Sequence, residues 1–160
     1  MAIGGHHNPV AKSVVWLTPP YILDALGPFD LDPCAAEQDP TRAAPRYYTE
    51  RVNGLNQDWS GRVWLNPPYG KQTGFWLKRL AHHGNGIAII FARTETDMFF
   101  RHIWEKADAI HFFRGRIHFC HMDGRQATAN SGAPSVLVAY GRDNVRAIKD
   151  SGLPGKLIEL

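Results

Sequence analysis

The residues best suited to do chemistry in this chain are Asn66-Pro67-Pro68-Tyr69, directly after the apolar run Val63-Trp64-Leu65. Such a turn is stiff and rich in acceptors, because each proline fixes φ and removes a backbone donor. The Asn66 side-chain oxygen and the Pro67 carbonyl offer two acceptors on adjacent residues. That pair suits a ring-conjugated amine, a poor nucleophile while its lone pair is delocalised. Acceptors that bind both amine hydrogens favour a more tetrahedral nitrogen, whose lone pair can attack. Tyr69 adds a flat face on which a heteroaromatic ring can stack. No nucleophilic side chain or metal is required when the transferred group is already activated, and positioning with electrostatics then carries the reaction. The same four residues would also serve as an ordinary turn, since Asn and Pro are turn formers. Their place after a strand and before a helix favours chemistry, because open α/β sheets bind ligands outside the carboxyl ends of their strands.

Two upstream segments support that placement. Phe29-Asp30-Leu31-Asp32-Pro33-Cys34-Ala35-Ala36 reads as a strand that ends in an acid and a proline, followed by small residues that allow close approach of a ligand. Trp16-Leu17-Thr18-Pro19-Pro20 precedes the first helix.

The elements that must hold these segments alternate. A helix is predicted over 19–26, with Thr18 as cap, Gly27 as stop, and Ile22 and Leu26 on one face. Strands are predicted over 29–32, 47–49, 63–65, 86–91, 109–113, 117–119 and 135–140. Thr73 to His82 has helical spacing, with Trp76 and Leu80 one turn apart and Gly84 beyond the end. Thr94-Glu95-Thr96-Asp97 resembles a capping box opening a helix whose Phe99, Phe100, Ile103 and Trp104 face inward. Arg114-Gly115-Arg116 separates two of the strands, as a basic hairpin for a phosphate backbone or a turn with solvated charges. A polar excursion, 121–134, carries His121, Arg125, Gln126, Thr128 and Asn130, side chains able to read base edges. The tail beyond Arg142 is expected to be a short helix and a loose end. This order implies an α/β fold with a mostly parallel sheet and an antiparallel edge.

Composition bounds the reading. A chain of 160 residues suits a loose arm over 1–15 and one domain over 16–160, without a separate recognition domain. With 44% hydrophobic and 21% charged residues, the chain belongs with globular rather than disordered proteins. A net charge of +3 and a pI near 9.0 are compatible with a polyanionic partner and equally with a mildly basic surface. The two cysteines, Cys34 and Cys120, form no CxxC pair, so neither a zinc ribbon nor a disulfide framework is expected. His118, Cys120 and His121 lack zinc-site spacing, and no metal is expected. His6-His7 and His82-His83 read as surface histidines, and Trp16, Trp59, Trp64 and Trp76 as core or pocket wall. No secretory signal is expected at Met1 to Pro9, and the apolar run Ile87 to Ala92 is too short to span a bilayer, so a cytoplasmic setting without membrane partners is expected.

The segments WLTPP, FDLDPCAA, YYT, LNQDWSGRVWLNPPYG, ARTETDMFF, FFRGRIHF and APSVLVAY occur in the order found in the phage-type DNA N6-adenine methyltransferases, the phage Dam-like family, which the chain resembles over roughly residues 16 to 140. The resemblance implies a Rossmann-like class I methyltransferase fold: a three-layer sandwich, abbreviated here because only about thirty residues separate Asp32 from Asn66. It implies S-adenosylmethionine as cofactor, S-adenosylhomocysteine as product, DNA as partner, and methylation of the adenine N6 amine, as in phage or restriction-modification systems. By the same resemblance Asn66, Pro67, Pro68 and Tyr69 form the catalytic pocket for a flipped base. Thr18, Pro19, Asp30, Asp32, Pro33, Cys34, Asp58 and Asn66 lie at the cofactor, with Asp32 at the methionine amino group and Asp58 at the cofactor's adenine. Arg114, Arg116, Arg125 and Gln126 are the expected DNA contacts. The chain departs from the wider methyltransferase pattern after its first strand, where Ala35-Ala36-Glu37 replaces the usual glycine; Glu37 is the candidate there for a ribose. Asn-Pro-Pro-Tyr also serves enzymes that methylate RNA bases, protein glutamine or cytosine N4, and an inactive DNA-binding protein could keep the fold. Recognition sequence and oligomeric state are not encoded in any of these motifs.

Overall fold

The structure is a computed structural model that describes residues 16–129 and 131–160. The expected arm over 1–15 and Asn130 lie outside the described residues.

Seven strands form one sheet: β1 Leu31–Asp32, β2 Arg46–Tyr47, β3 Val63–Leu65, β4 Gly86–Phe91, β5 Ala109–Phe113, β6 Ser135–Tyr140 and β7 Gly155–Glu159, in the order β2-β1-β3-β4-β6-β5-β7. The pairs β2·β1, β1·β3 and β3·β4 are parallel. β6 runs antiparallel to both β4 and β5, and β7 antiparallel to β5. Half of the sheet is thus parallel and the other half is antiparallel.

Alternation along the strands makes three layers. On β4, Ile87 and Ile89 join Trp64, Leu137 and Ala139 on one face, covered by α1 (Pro20–Leu26) and α4 (Arg142–Asp150). Ala88 and Ile90 join Leu65, Val136 and Val138 on the other, covered by α2 (Thr73–His83) and α3 (Asp97–Phe99). Gly84 closes α2 in the left-handed conformation, φ 76°, its N–H on the Leu80 carbonyl. Thr96 caps α3 by accepting from the Phe99 N–H, and α3 continues as a π-helical turn over Phe100–Trp104.

Several expectations are corrected. Thr18 does not cap α1; Pro19 is the cap residue and no side chain serves it. Phe100 is 51% exposed, because Phe99 and Ile103, four residues apart, share the buried face and Phe100 falls one step round from it. Ile117–Phe119 is not a strand of the sheet. Ile117 and Phe119 instead pack on the α1/α4 face, and their carbonyls accept from Ser131 N–H and Ala127 N–H. Arg114-Gly115-Arg116 is therefore an exit from β5 rather than a hairpin between strands. The tail ends in edge strand β7, paired along all of β5.

Candidate active site

The sheet's chain direction diverges between β1 and β3: from β1 the chain passes outward to β2, and from β3 it passes the other way to β4. Ligand crevices of open sheets form at such a switch, outside the carboxyl ends. Asp32 is the last residue of β1, and Asn66 follows the last residue of β3.

Asp32 is only 6% exposed. Its Oδ1 accepts the Cys34 N–H at 3.1 Å, and among the described residues no donor serves Oδ2. Burial pushes its carboxyl up to about 7, with Asp39 adding to the rise and the Cys34 N–H and Arg42 opposing it. Cys34 is pushed up to about 12, mainly by burial and then by the negative Asp32 and Glu50, so its thiol stays protonated and unreactive. Tyr48 binds the Asp32 turn: its N–H donates to the Asp32 carbonyl and its own carbonyl accepts from Ala35. The Tyr48 hydroxyl donates to the Asp58 carbonyl at 3.0 Å, bringing Asp58 beside the same turn with its side chain exposed. Gly54 seats this loop against the Pro33 carbonyl, where a Cβ would come within 1.9 Å of the oxygen.

The Asn66 amide is oriented from the amino-terminal segment. Its Nδ2 donates to the Trp16 carbonyl at 3.0 Å and to the buried Thr18 hydroxyl at 3.3 Å. A carbonyl can only accept, which fixes Nδ2 on that side and turns Oδ1 away from it. Among the described residues no donor occupies Asn66 Oδ1 or the Pro67 carbonyl. The next carbonyl, of Pro68, accepts from the buried Thr73 hydroxyl at 2.7 Å, which ties the turn to the start of α2. Gly70, at φ 116°, allows the chain to swing from the turn into α2. Tyr69 is stacked on Phe91, with ring centroids 4.1 Å apart and 11° between planes. Trp16, Tyr69, Phe91, Phe119, Ala127, Ala129, Ser131 and Gly132 line a cleft of about 90 Å³ beside the turn.

A family model described as DNA N-6-adenine-methyltransferase (Dam) matches residues 5–148. The chain belongs to this family. It is 26% identical over 117 residues to a DNA N-6-adenine-methyltransferase of Haemophilus phage HP1, covering 70% of this chain and 66% of that protein. It is 28% identical over 120 residues to one of Escherichia phage T1, covering 65% of this chain and 50% of that protein. The chain spans between half and two thirds of the length of these curated relatives. No solved structure matches it.

For this Dam-family chain the fold brings Thr18, Pro19, Asp32, Pro33, Cys34, Asp58 and the Asn66 turn to the carboxyl ends of β1 and β3. Asp30 goes elsewhere. It lies just before β1, where its Oδ2 accepts the Arg62 N–H at 2.7 Å, at the amino end of β3. Glu37 is exposed; its carboxylate lies 3.8 Å from Arg51 and its carbonyl accepts from Arg42 at 3.0 Å. Arg116 donates to the Ser131 carbonyl and closes the root of the excursion, while Arg125 is paired to Asp123 at 2.6 Å. Arg114 and Gln126 are exposed. The excursion meets the cleft through small residues rather than its polar ones.

Sequence reasoning missed Phe91, Thr73 and the Trp16 carbonyl. A Thr in the first turn after Asn-Pro-Pro-Tyr was a readable signal; a backbone acceptor fifty positions upstream was not. Among the described residues no group of three or more His, Cys, Asp or Glu side chains could hold a metal, and no helix is long and apolar enough to cross a membrane.

Proposed function

We propose that this protein transfers a methyl group from S-adenosylmethionine to the N6 amine of adenine in DNA, and that its sheet is a class I methyltransferase sheet shortened on the β2 side. The observation that carries the reading is the Asn66 amide, oriented so that Oδ1 and the Pro67 carbonyl are two acceptors at the switch point with no donor among the described residues. Family membership agrees with it. Because the chain covers only part of its relatives, the activity is inferred from this site.

The cofactor fits the residues present. Asp32 is a buried carboxylate with one oxygen unserved, a suitable partner for an ammonium group. Asp58 is exposed on the adjoining loop and would take the adenine amine, with Pro33 and Cys34 supplying backbone beside Asp32. Pro19 would flank the methionine side, next to Thr18, whose hydroxyl accepts from the Asn66 amide. When bound, S-adenosylmethionine supplies a sulfonium-activated methyl group, so the protein need not form a covalent intermediate. Asn66 Oδ1 and the Pro67 carbonyl bind the two amine hydrogens and localise the nitrogen lone pair. Tyr69, backed by Phe91, presents a ring to a flipped base, and Phe119 with the small residues of the excursion closes the cleft. Arg114, Arg116, Arg125 and Gln126 remain the proposed contacts to DNA, a soluble reaction in a phage host's cytoplasm.

The test is transfer of labelled methyl from S-adenosylmethionine to unmethylated duplex DNA, followed by nucleoside digestion and mass analysis. Label in N6-methyladenine is the expected result. Label in N4-methylcytosine, RNA or protein alone reassigns the acceptor, and no cofactor binding overturns the enzyme reading.

A further inference from the structure

We infer that Thr18, with the Trp16 carbonyl, is a positioning clamp for the Asn66 amide, and that the 121–134 excursion sets this clamp through the Leu17–Cys120 backbone pair. The inference rests on the proposed reaction and assigns Thr18 to a residue other than the cofactor. An asparagine amide free to rotate presents a donor as readily as an acceptor, and a donor at the Oδ1 position would repel the amine hydrogens. Two acceptors hold it here, one a carbonyl and one a buried hydroxyl, at 3.0 and 3.3 Å. Both sit on a segment with no place in the sheet. Its position comes instead from Leu17, whose N–H and carbonyl exchange hydrogen bonds of 2.9 Å each with Cys120. Cys120 bridges in turn to Gln126, and the His121 N–H binds the Arg125 carbonyl at 2.8 Å. Trp16 packs its ring on His121, centroids 5.3 Å apart. The excursion that best suits sequence readout is therefore one backbone pair away from the group that orients Asn66. Displacing the excursion moves Leu17, and moving Leu17 moves both acceptors of Asn66.

The experiment compares Thr18→Val, which keeps the shape and removes the acceptor, with Thr18→Ser, which restores it. Single-turnover methyl transfer, KM for duplex DNA, S-adenosylmethionine affinity by calorimetry and thermal unfolding are measured for both and for the unmutated protein. The clamp predicts that Thr18→Val lowers the saturated transfer rate about 10- to 100-fold, as misplacing a reacting group by about 1 Å can cost about 10²-fold. KM and cofactor affinity should stay within about 2-fold, and Thr18→Ser should recover the rate to within about 3-fold. An unchanged saturated rate in folded Thr18→Val overturns the inference. So does a 10-fold loss of cofactor affinity at an unchanged saturated rate, which would make Thr18 a methionine contact. If Thr18→Val does not fold, Thr18→Ala replaces it, and equal rates for Thr18→Ala and Thr18→Ser overturn the clamp. Absence of transfer by the unmutated protein marks failure of the proposed reaction itself and overturns the clamp with it.

Discussion

The two ends of the parallel strands hold the same residue types and use them in opposite ways. At the amino ends, Asn144 is fully buried and its amide is saturated. Its Oδ1 accepts Arg62 Nε at 2.6 Å, and its Nδ2 donates to Asn85 Oδ1 and the Tyr140 carbonyl at 2.9 and 2.7 Å. Arg62 extends that network to the Leu26 and Pro28 carbonyls and lies 4.3 Å over the Phe29 ring. Asp30, just before β1, joins it through the Arg62 N–H, and Arg62 Nη2 alone is buried there without a partner among the described residues. At the carboxyl ends, among the described residues, Asn66 has its donors filled and its acceptor open, and Asp32 has one oxygen served. Satisfied polar groups hold elements in register, whereas open ones hold free energy for a ligand to recover. The contrast teaches that hydrogen-bonded and open polar groups have been placed at opposite ends of the same strands, and the proposed reaction uses the open ones.

Paired asparagine substitutions are the sharpest way to break this contrast. Asn66→Ala should lower methyl transfer about 10²- to 10³-fold, the usual loss for a preorganised hydrogen-bonding group at a reacting atom. Its stability cost should be only about 1 kcal/mol, because water can reach the half-buried site. Asn144→Ala should do the reverse. It strands Arg62 Nε and the Tyr140 carbonyl, while exposed Asn85 turns to water, and should cost about 2 kcal/mol or more by chemical denaturation. The rate per folded molecule should stay within about 2-fold. Normal turnover by the first variant, or loss of catalysis in folded samples of the second, would dissolve the distinction.

How much of this was legible in the sequence follows the same division. β3, β4, β5 and β6 were readable to the residue, because continuous apolar runs are what a sheet covered on both faces demands. The Asn-Pro-Pro-Tyr turn was readable because prolines end a strand wherever they fall. Ile117–Phe119 has the composition of a strand, yet its neighbours are Ser131, Ala127 and Leu17, distant partners that local pattern cannot name. β7 was read as a loose tail because an edge strand with an exposed, exposed, half-buried pattern carries little periodic signal. Asp30 and Asp32 share one motif, and only the register of β1 on β3 separates their ends.

Asp32 gives a pH test of intermediate size. Its folded-state carboxyl titrates at about 7, against 3.8 without burial. The unfolded chain therefore loses this proton first, and stability falls as pH rises from about 4 to about 7, then levels off. Asp32→Asn removes that penalty and should raise stability above pH 7 by about 2–4 kcal/mol. Cofactor affinity runs the other way, because an ammonium ligand needs the carboxylate. Affinity of the unmutated protein should climb with pH through about 7 and then plateau. In Asp32→Asn it should be at least about 10-fold weaker at pH 8 and lose that inflection. Calorimetry across pH 5.5 to 8.5 separates the outcomes, and an inflection that survives the substitution would assign the titration to another group.

The smallest expected effect sharpens the comparison most, because it asks two acids, one just before β1 and one at its end, to behave differently two residues apart. Asp30 accepts a single backbone N–H, and an amide oxygen can accept that bond equally well. Asp30→Asn should leave cofactor affinity and transfer rate within about 2-fold and the pH inflection at about 7 in place. Asp30→Ala should loosen the Arg62 turn, seen as faster amide exchange at Arg62 and Val63, with the chemistry again spared. A 10-fold fall in cofactor affinity for Asp30→Asn would mean that the cofactor reaches past the carboxyl end of β1. The two edges of the sheet would then be one site.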